Sequence, residues 1–206
     1  MKAPILIPGT EGYASQAKYL IARYESETFE DKHQAILELL PKTPSRILDI
    51  GSGSGLDAEW FALKGHQVYA VEPVIELLQA AKEIHNKVPI NWIKDSLPDL
   101  ATFPNSGHLF DVVMLTAVLM HLDHDSRLAS ILRISKLLAP NGLLCLTLRH
   151  GPTPAGRQMF NVAAEEVIKS AERNGLIKIL NVVRESVGKE NRKLEIMWSH
   201  LAFRAV

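Results

Sequence analysis

Cysteine and long apolar runs are scarce in this chain. Its 206 residues include one cysteine, so an internal disulfide is excluded. That residue, Cys145, lies in the apolar run 143–148, which predicts a buried strand position. No apolar run approaches the ~20 residues that cross a bilayer, and residues 1–8 hold too short an apolar stretch for a signal peptide. We therefore expect a cytoplasmic protein with no membrane partner.

An excess of charge of either sign is also missing. Lys and Arg together number 23, as do Asp and Glu, so the formal net charge is zero. Proteins that bind nucleic acids usually carry a basic excess or a basic stripe, so we expect no nucleic-acid partner. Apolar residues make up 47% of the chain, which is typical of a globular protein. The length suits one domain with a substantial core.

A glycine-rich turn between a strand and a helix is the main positive feature. Residues 47–55 read as a short apolar strand, three alternating glycines and the start of a helix. Roughly 20 residues later a second apolar strand, 68–71, ends at Glu72, which is the spacing of a nucleoside-binding βαβ unit. Glycine lets a ligand approach the backbone closely, because it has no Cβ. A carboxylate after the second strand can bind both hydroxyls of a ribose, so the two features predict a site for an adenosine-containing cofactor.

Strands alternate with helices along the rest of the chain. The apolar pattern predicts strands at 46–50, 66–72, 90–94, 109–115, 142–149, 176–183 and 194–204. It predicts helices at 14–24, 29–40, 56–63, 74–85, 125–138 and 162–174. This order is typical of an α/β protein with a doubly wound, mostly parallel sheet. A turn around 188–191 makes the last two strands antiparallel, and residues 1–44 form a helical extension that precedes the domain 45–206.

Four pieces of sequence carry a resemblance to a known family. They are Asp49-Ile50-Gly51-Ser52-Gly53-Ser54-Gly55, Val71-Glu72-Pro73, the run from Phe110-Asp111-Val112-Val113 to His121-Leu122, and Leu137-Leu138-Ala139-Pro140-Asn141-Gly142. In this order they resemble the class I S-adenosylmethionine-dependent methyltransferases that act on small molecules. The resemblance implies a Rossmann-like sheet of seven strands, S-adenosylmethionine as cofactor with S-adenosylhomocysteine as product, and methyl transfer to a small-molecule acceptor. It also implies that the N-terminal helices fold over the site as a lid.

The spacing of the glycines separates this function from dinucleotide binding. A dinucleotide fingerprint is G-x-G-x-x-G, and its last glycine packs a helix under a pyrophosphate. Here the third glycine is Gly55, and Leu56 stands where that pattern needs a glycine. Asp57 and Glu59 follow in the first helical turn, where carboxylates suit the helix N-terminus but would repel a pyrophosphate. A nicotinamide-dependent oxidoreductase is therefore the disfavoured alternative.

The resemblance also implies roles for individual residues. Asp49 would bind the ammonium group of the cofactor and Glu72 its ribose diol. Asp95 and Ser96 would reach the adenine amino group, although either could instead cap a helix. Asp49 could likewise do no more than bond loop amides. The full cofactor set is Asp49, Gly51, Ser52, Gly53, Gly55, Glu72, Pro73, Asp95, Ser96, Thr116 and Ala117.

A general base is needed only if the acceptor carries a proton that must leave early. His121 is the candidate, because it follows the fourth strand at the edge that faces the ligand in such sheets. Its usual pKa of about 6.5 suits proton acceptance. The alternative is that His121 only orients its loop. Asp123 and His124 stand beside it, but three residues on one short loop are too few for a metal site, so we expect no metal.

The acceptor would lie near the end of the fifth strand and the N-terminal segment. Arg149, His150 and Arg157 flank a loop rich in proline and glycine. The two arginines are able to grip a carboxylate or phosphate, or to form surface ion pairs. Tyr19 in the N-terminal segment either contacts a ligand or packs in the fold. The acceptor, the atom that is methylated and the oligomeric state stay open, because loops set them.

Two further functions remain as alternatives. The intact Asp49, the three glycines and Glu72 argue against a non-catalytic module that kept the pocket, although cofactor binding does not prove turnover. Methylation of RNA or DNA is disfavoured by the neutral charge and by the lack of an Asn/Asp-Pro-Pro-Tyr/Phe motif after the fourth strand. That place reads Thr116-Ala117-Val118-Leu119.

Overall fold

The computed structural model describes residues 7–103 and 109–206. Its strands are Arg46–Ile50 (β1), Gln67–Val71 (β2), Ile90–Ile93 (β3), Phe110–Leu115 (β4), Leu138–His150 (β5), Leu176–Glu185 (β6) and Met197–Ala205 (β7). Its helices are Tyr13–Tyr24 (α1), Phe29–His33 (α2), Leu56–Leu63 (α3), Ile75–Ile84 (α4), His124–Ser135 (α5), Ala164–Arg173 (α6) and Lys189–Lys193 (α7). None of these helices has the length and apolar character that crossing a membrane requires.

The strands form one mixed sheet in the order β3-β2-β1-β4-β5-β7-β6. β7 runs antiparallel to β5 and β6, whereas the other neighbouring strands run parallel. The predicted doubly wound sheet with an antiparallel C-terminal strand is therefore confirmed. The strand order reverses beside β1, with β2 and β3 on one side and β4 on the other. At such a switch point the loops that leave the strands diverge and open a crevice at the carboxyl edge.

Both faces of the sheet are covered, which explains the near-continuous apolar character of its central strands. On one face Val113 and Leu115 belong to a core that includes residues of α5 and α6. On the other face Ile47 packs in a core with Phe29 of α2 and Phe61 of α3. These two cores hold the strand ends, and the loops that follow them, in fixed positions.

The N-terminal segment agrees with the predicted helices at first and then differs. The first predicted helix is α1, and Thr28 caps α2 by accepting a hydrogen bond from the Asp31 amide at 3.1 Å. The second helix ends at His33 rather than at 40, and the chain continues in 3-10 turns. The amides of Ile36 and Leu39 bond to carbonyls three residues back. Such tightening is common at the ends of α-helices.

Two strand boundaries also differ from the prediction. β5 begins at Leu138 rather than at 142, because Leu138 pairs with Phe110 before the register shifts. Pro140 lies in that irregular stretch, where a strand tolerates the loss of an amide donor. The turn predicted at 188–191 holds the short helix α7, so β7 begins at Met197 rather than at 194.

Candidate active site

A cavity of about 850 Å³ lies at the carboxyl edge of the sheet. Its lining includes the turn after β1, the ends of β2 and β4, residues of β5 and β7, and one side of α1. Small-molecule sites measure roughly 300–1,000 Å³, so this cavity is at the upper end of that range. It has room for two small ligands side by side.

The turn after β1 reaches the cavity almost without side chains. Gly51 and Gly53 have φ angles of 70° and 57°, a left-handed conformation that glycine adopts with little strain. The amides of Gly51 and Ser52 both donate to the Val71 carbonyl, at 2.8 and 3.0 Å, so the turn is fastened to the end of β2. A Cβ on Gly51 would lie 2.5 Å from Val118. The three turn residues line the cavity, as the sequence predicts.

Gly55, which the sequence places in the cofactor set, does not line the cavity. It ends the turn and begins α3 with a φ of 90°. A Cβ at this position would lie 2.5 Å from Trp92 and 2.9 Å from His85. Gly55 therefore allows α3 to pack closely against β3 and the end of α4.

Glu72 fastens the same turn through both of its carboxylate oxygens. Oε2 accepts a hydrogen bond from the Gly53 amide at 2.9 Å, and Oε1 accepts one from the Val74 amide at 2.8 Å. Burial raises the pKa of Glu72 to about 7, although the two amide bonds act in the opposite direction. This carboxylate therefore changes its charge close to neutral pH. It lines the cavity together with Pro73.

Asp49 is a buried acid with an unused oxygen. It is 1% exposed near the end of β1, and its Oδ2 has no hydrogen-bond partner among the described residues. Burial raises the pKa of Asp49, the charge of Asp57 adds to that rise, and Lys32 opposes it. A buried carboxylate oxygen without a donor costs free energy. Because Asp49 lines the cavity, a cationic donor on a ligand would complete its hydrogen bonding.

Asp95 and Ser96 follow β3, and both line the cavity. Asp95 Oδ1 accepts a hydrogen bond from the Ser96 amide at 2.8 Å, and Oδ2 accepts one from the Thr102 amide at 2.7 Å. Asp95 thus bonds to backbone amides, as a helix-capping residue would. The segment that it holds is, however, a loop and not a helix. Contact of this pair with adenine stays a prediction.

A cluster around Asp57 lies beside the end of β4. Asp57 Oδ2 accepts hydrogen bonds from Thr116 and from His33, each at 2.8 Å. Its Oδ1 accepts one from the Lys32 ammonium at 3.0 Å. Burial opposes the ionisation of Asp57, but His33 and Lys32 outweigh it and hold the pKa below its usual range. Sequence reasoning missed Lys32 and His33, because no local pattern links α2 to α3.

His121 has both ring nitrogens engaged. Nδ1 lies 3.0 Å from the Gln158 carbonyl oxygen, which can only accept, so Nδ1 carries a proton. Nε2 lies 2.9 Å from the Tyr13 hydroxyl, which donates to the neutral ring. Burial lowers the pKa of His121 and favours that neutral form. His121 thereby connects α1 to the loop between β5 and α6. Both of its predicted roles, as a base and as a residue that orients its own loop, stay predictions.

The β5–β7 pair contributes residues that sequence reasoning missed. Thr147 pairs with His200 and Arg149 with Trp198 in the antiparallel ladder, and all four line the cavity. His200 is 6% exposed, and its Nδ1 has no hydrogen-bond partner among the described residues. Burial lowers the pKa of His200 to about 4, so its ring is neutral at physiological pH. The alternation of Trp198 and His200 along a strand is a signal for them, but the face that they share depends on the hairpin register.

A family model described as a methyltransferase domain matches residues 19–181. The match runs from α1 into β6 and includes the glycine turn, Glu72 and the ends of β4 and β5. The chain belongs to the methyltransferase-domain family.

Curated relatives of this chain include the ubiquinone biosynthesis O-methyltransferase of Xanthomonas campestris pv. campestris. The two are 34% identical over 127 residues, which is 61% of this chain and 51% of the relative. A protein of the same name from Xanthomonas oryzae pv. oryzae is 31% identical over 131 residues, which is 63% of this chain and 53% of that relative. The chain thus spans about half the length of the curated relatives it matches.

Solved structures with the same fold include two small-molecule methyltransferases. One is the 1,6-didemethyltoxoflavin-N1-methyltransferase of Burkholderia thailandensis, with a TM-score of 0.65 and 18% identity, covering 100% of this chain and 93% of that one. The other is the N-methyltransferase NodS of Bradyrhizobium japonicum, with a TM-score of 0.68 and 19% identity, covering 93% and 97%. Both were crystallised with S-adenosylhomocysteine. At this identity the likeness shows the fold, and this chain has the Rossmann-like fold of those enzymes.

The residues that the sequence assigns to the acceptor separate into two groups in the structure. Arg149 and Arg157 line the cavity, and Tyr19 lines its rim with 54% of its surface exposed. His150 does not line the cavity, because its Nε2 lies 2.7 Å from the Ser199 hydroxyl. Successive side chains of a strand point to opposite faces, so Arg149 and His150 do not share one site.

Proposed function

We propose that this methyltransferase binds S-adenosylmethionine in one half of the cavity and methylates a small molecule in the other. The cofactor half is formed by Asp49, the turn 51–53, Glu72, and the pair Asp95 and Ser96. The acceptor half is formed by Thr147, Arg149, Arg157, Trp198 and His200. The observation that carries this assignment is the buried, unpartnered Oδ2 of Asp49, beside a turn without side chains at the switch point of the sheet.

The residues of the cofactor half suit the groups that S-adenosylmethionine carries. Asp49 supplies an acceptor for the ammonium group of the cofactor. The backbone of Gly51 and Gly53 leaves space over the turn for the methionine and ribose portions of the cofactor. Glu72 accepts hydrogen bonds from the ribose hydroxyls, with Pro73 beside the adenine. When bound, this cofactor supplies a methyl group that its sulfonium has already activated for in-line displacement.

The protein contributes mainly alignment and exclusion of water. Holding two reactants in line is worth several kcal/mol, up to roughly 10 in favourable cases. Where the acceptor must lose a proton, His200 is better placed to accept it than His121. Both nitrogens of His121 are engaged by Tyr13 and Gln158, whereas His200 keeps a nitrogen free of described partners. Both rings line the cavity.

The N-terminal segment, residues 1–44, acts as the cover of the site in this proposal. Support comes from α1, which packs against α4 through Ala17, Val74 and Leu77 and lines the cavity through Tyr13 and Arg23. The cytoplasmic location and the absence of nucleic-acid and membrane partners stay predictions from the sequence.

The proposal is tested by calorimetric titration with S-adenosylhomocysteine and, separately, with NAD. We expect the first to bind and the second not to bind, and the reverse result would favour an oxidoreductase. Incubation with methyl-labelled S-adenosylmethionine and a panel of phenols, carboxylates and amines then tests turnover. Binding without transfer to any acceptor would favour a non-catalytic module.

A further inference from the structure

Three arginine side chains reach the cavity from different parts of the chain. Arg149 stands near the end of β5, Arg157 lies in the loop that follows, and Arg23 belongs to α1. Their short hydrogen bonds, of 2.7 to 2.8 Å, go to side-chain amide oxygens and to one backbone carbonyl. None of the ion pairs among the described residues includes these arginines. Positive charge therefore gathers here without a carboxylate partner.

Two observations indicate what this arrangement costs. Arg157 Nη1 is buried and has no hydrogen-bond partner among the described residues. The pKa of Arg149 is lowered, first by burial and then by repulsion from Arg23. Partly buried like charges are unfavourable unless an opposite charge accompanies them. An anion beside Arg149 and Arg157 would remove both costs.

The position of these arginines separates them from the cofactor half. Asp49, Glu72 and Asp95 stand at the ends of β1, β2 and β3, which lie on one side of β4. Arg149 and Arg157 stand at and after the end of β5, on the other side of β4. An anion held by these two arginines would therefore lie next to the cofactor rather than in its place.

The surroundings of the arginines indicate the body of the ligand. The guanidinium of Arg157 stacks on the Tyr13 ring at 3.6 Å from its centroid. Trp198 and Met159 line the cavity nearby. Aromatic and thioether side chains favour contact with apolar or ring-bearing molecules.

We propose that Arg149 and Arg157 bind an anionic group of the methyl acceptor, which is a small carboxylate or phosphate ester with an aromatic or other apolar body. The inference deepens the proposed function and rests on it, since it assigns the acceptor half of that same cavity. Guanidinium groups suit this role because their paired donors match carboxylate and phosphate oxygens. Arg23 of α1 also lines the cavity and adds positive charge there.

The test is calorimetry on the protein saturated with S-adenosylhomocysteine. The probes are para-hydroxybenzoate, phenyl phosphate and the neutral para-hydroxybenzamide, which keeps the ring and the hydroxyl of the benzoate without its charge. We expect at least one anion to bind about tenfold more tightly than the amide, and the preferred anion distinguishes a carboxylate acceptor from a phosphate acceptor. Combining Arg149→Gln with Arg157→Gln should remove that preference. The matched control, Arg173→Gln at the exposed end of α6, should retain it.

Three results would overturn the inference: equal binding of the amide and the anions, no binding of either anion, or anion binding that survives the double substitution. Titration of each variant with S-adenosylhomocysteine supplies a fourth. If a variant lost as much affinity for S-adenosylhomocysteine as for the anions, the arginines would belong to the cofactor site. If the double variant does not fold by circular dichroism, single Arg149→Lys and Arg157→Lys substitutions replace it, and each should weaken anion binding. If the wild type binds no S-adenosylhomocysteine, the proposed function fails, and titration of the free protein with the same anions decides this inference alone.

Discussion

The cofactor half and the acceptor half of the cavity differ in how their charges are satisfied. In the cofactor half, Glu72 bonds to two backbone amides, and Asp95 bonds to two others. In the acceptor half, the charged groups of Arg149 and Arg157 bond to neutral oxygens. The hydrogen bonds of the first half are therefore largely formed before a ligand binds. In the second half the positive charges have no bound carboxylate and are available to an anionic ligand.

Besides the neutral Ser52 and His200, each half contains a charged side chain with a buried polar atom that the described residues leave unpartnered. In the cofactor half this atom is Asp49 Oδ2, and in the acceptor half it is Arg157 Nη1. Both atoms line or adjoin the same cavity, so the simplest explanation is that two ligands of different charge complete them. The predictions below test whether the halves are separable in this way.

The largest effect is expected from Asp49→Asn. The amide keeps the size of the side chain but cannot offer a charged acceptor to the ammonium, so affinity for S-adenosylhomocysteine should fall by about a hundredfold. Thermal stability should stay equal or rise, because a buried carboxylate with an unpartnered oxygen is removed. Calorimetry and thermal unfolding measure the two quantities. Asp125→Asn, on the exposed first turn of α5, is the matched control.

A different outcome for Asp49→Asn would change the comparison. Normal affinity together with unchanged stability would mean that Asp49 plays no part in ligand binding. The explanation that a cationic group of a ligand completes the hydrogen bonding of Asp49 would then lose its support.

His200→Ala should affect the acceptor half alone. We expect kcat to fall by about tenfold to a hundredfold for an acceptor that must lose a proton, with unchanged affinity for S-adenosylhomocysteine. His124→Gln, at an exposed position, controls for the loss of an imidazole. His121→Gln should instead lower thermal stability, because it breaks the bonds to Tyr13 and Gln158. If His121→Gln removed turnover at full stability while His200→Ala did not, the base would be His121.

The contrast between the halves also explains which parts of the site the sequence could predict. The alternation of strands and helices, the glycine turn and Glu72 follow from residues that are close in sequence, because a βαβ unit places them through its own backbone. The positions of Thr116 and Ala117 at the cavity could be predicted in the same way, since these residues directly follow an apolar strand. What no local pattern contained is whether Asp49 has a partner, because that depends on every element packed around it.

The acceptor half depends on contacts between distant segments. His200 and Trp198 enter the cavity through the register of β7 on β5. Local reasoning therefore overlooked them and included His150, whose side chain leaves the strand on the face opposite to Arg149. The inclusion of Gly55 in the cofactor set has a similar explanation. A Cβ at this position would collide with Trp92, which is distant in sequence, and Gly55 does not line the cavity.

The pH dependence of cofactor binding tests the cofactor half. Glu72 has a pKa of about 7 in the free protein, and ribose hydroxyls favour its ionised form. Affinity for S-adenosylhomocysteine should therefore fall as the pH decreases, by about tenfold between pH 8 and pH 6. Glu72→Gln should bind weakly and show a flat profile over this interval. A wild-type affinity that rises as the pH falls would contradict the role of this carboxylate.

The smallest effect concerns the junction between the N-terminal cover and the cofactor half. His85 is 2% exposed, and its Nε2 lies 3.0 Å from the Ser54 carbonyl oxygen. Its Nδ1 lies 3.0 Å from Glu59, and Glu25 at the end of α1 lies 3.5 Å from Nε2. Burial disfavours the charged imidazole, but the two carboxylates outweigh it and raise the pKa of His85.

A raised pKa means that the charged form stabilises the folded state below about pH 6.5. That stabilisation is lost as the pH rises through the pKa of the folded protein. We expect Tm to fall by a few degrees over this window in the wild type, and His85→Gln to lack the dependence. Hydrogen exchange of α1 should increase over the same window, because Glu25 is the link from α1 to His85. If exchange increased equally in α5, the pH effect would be global, and His85 would not join the N-terminal cover to the cofactor half.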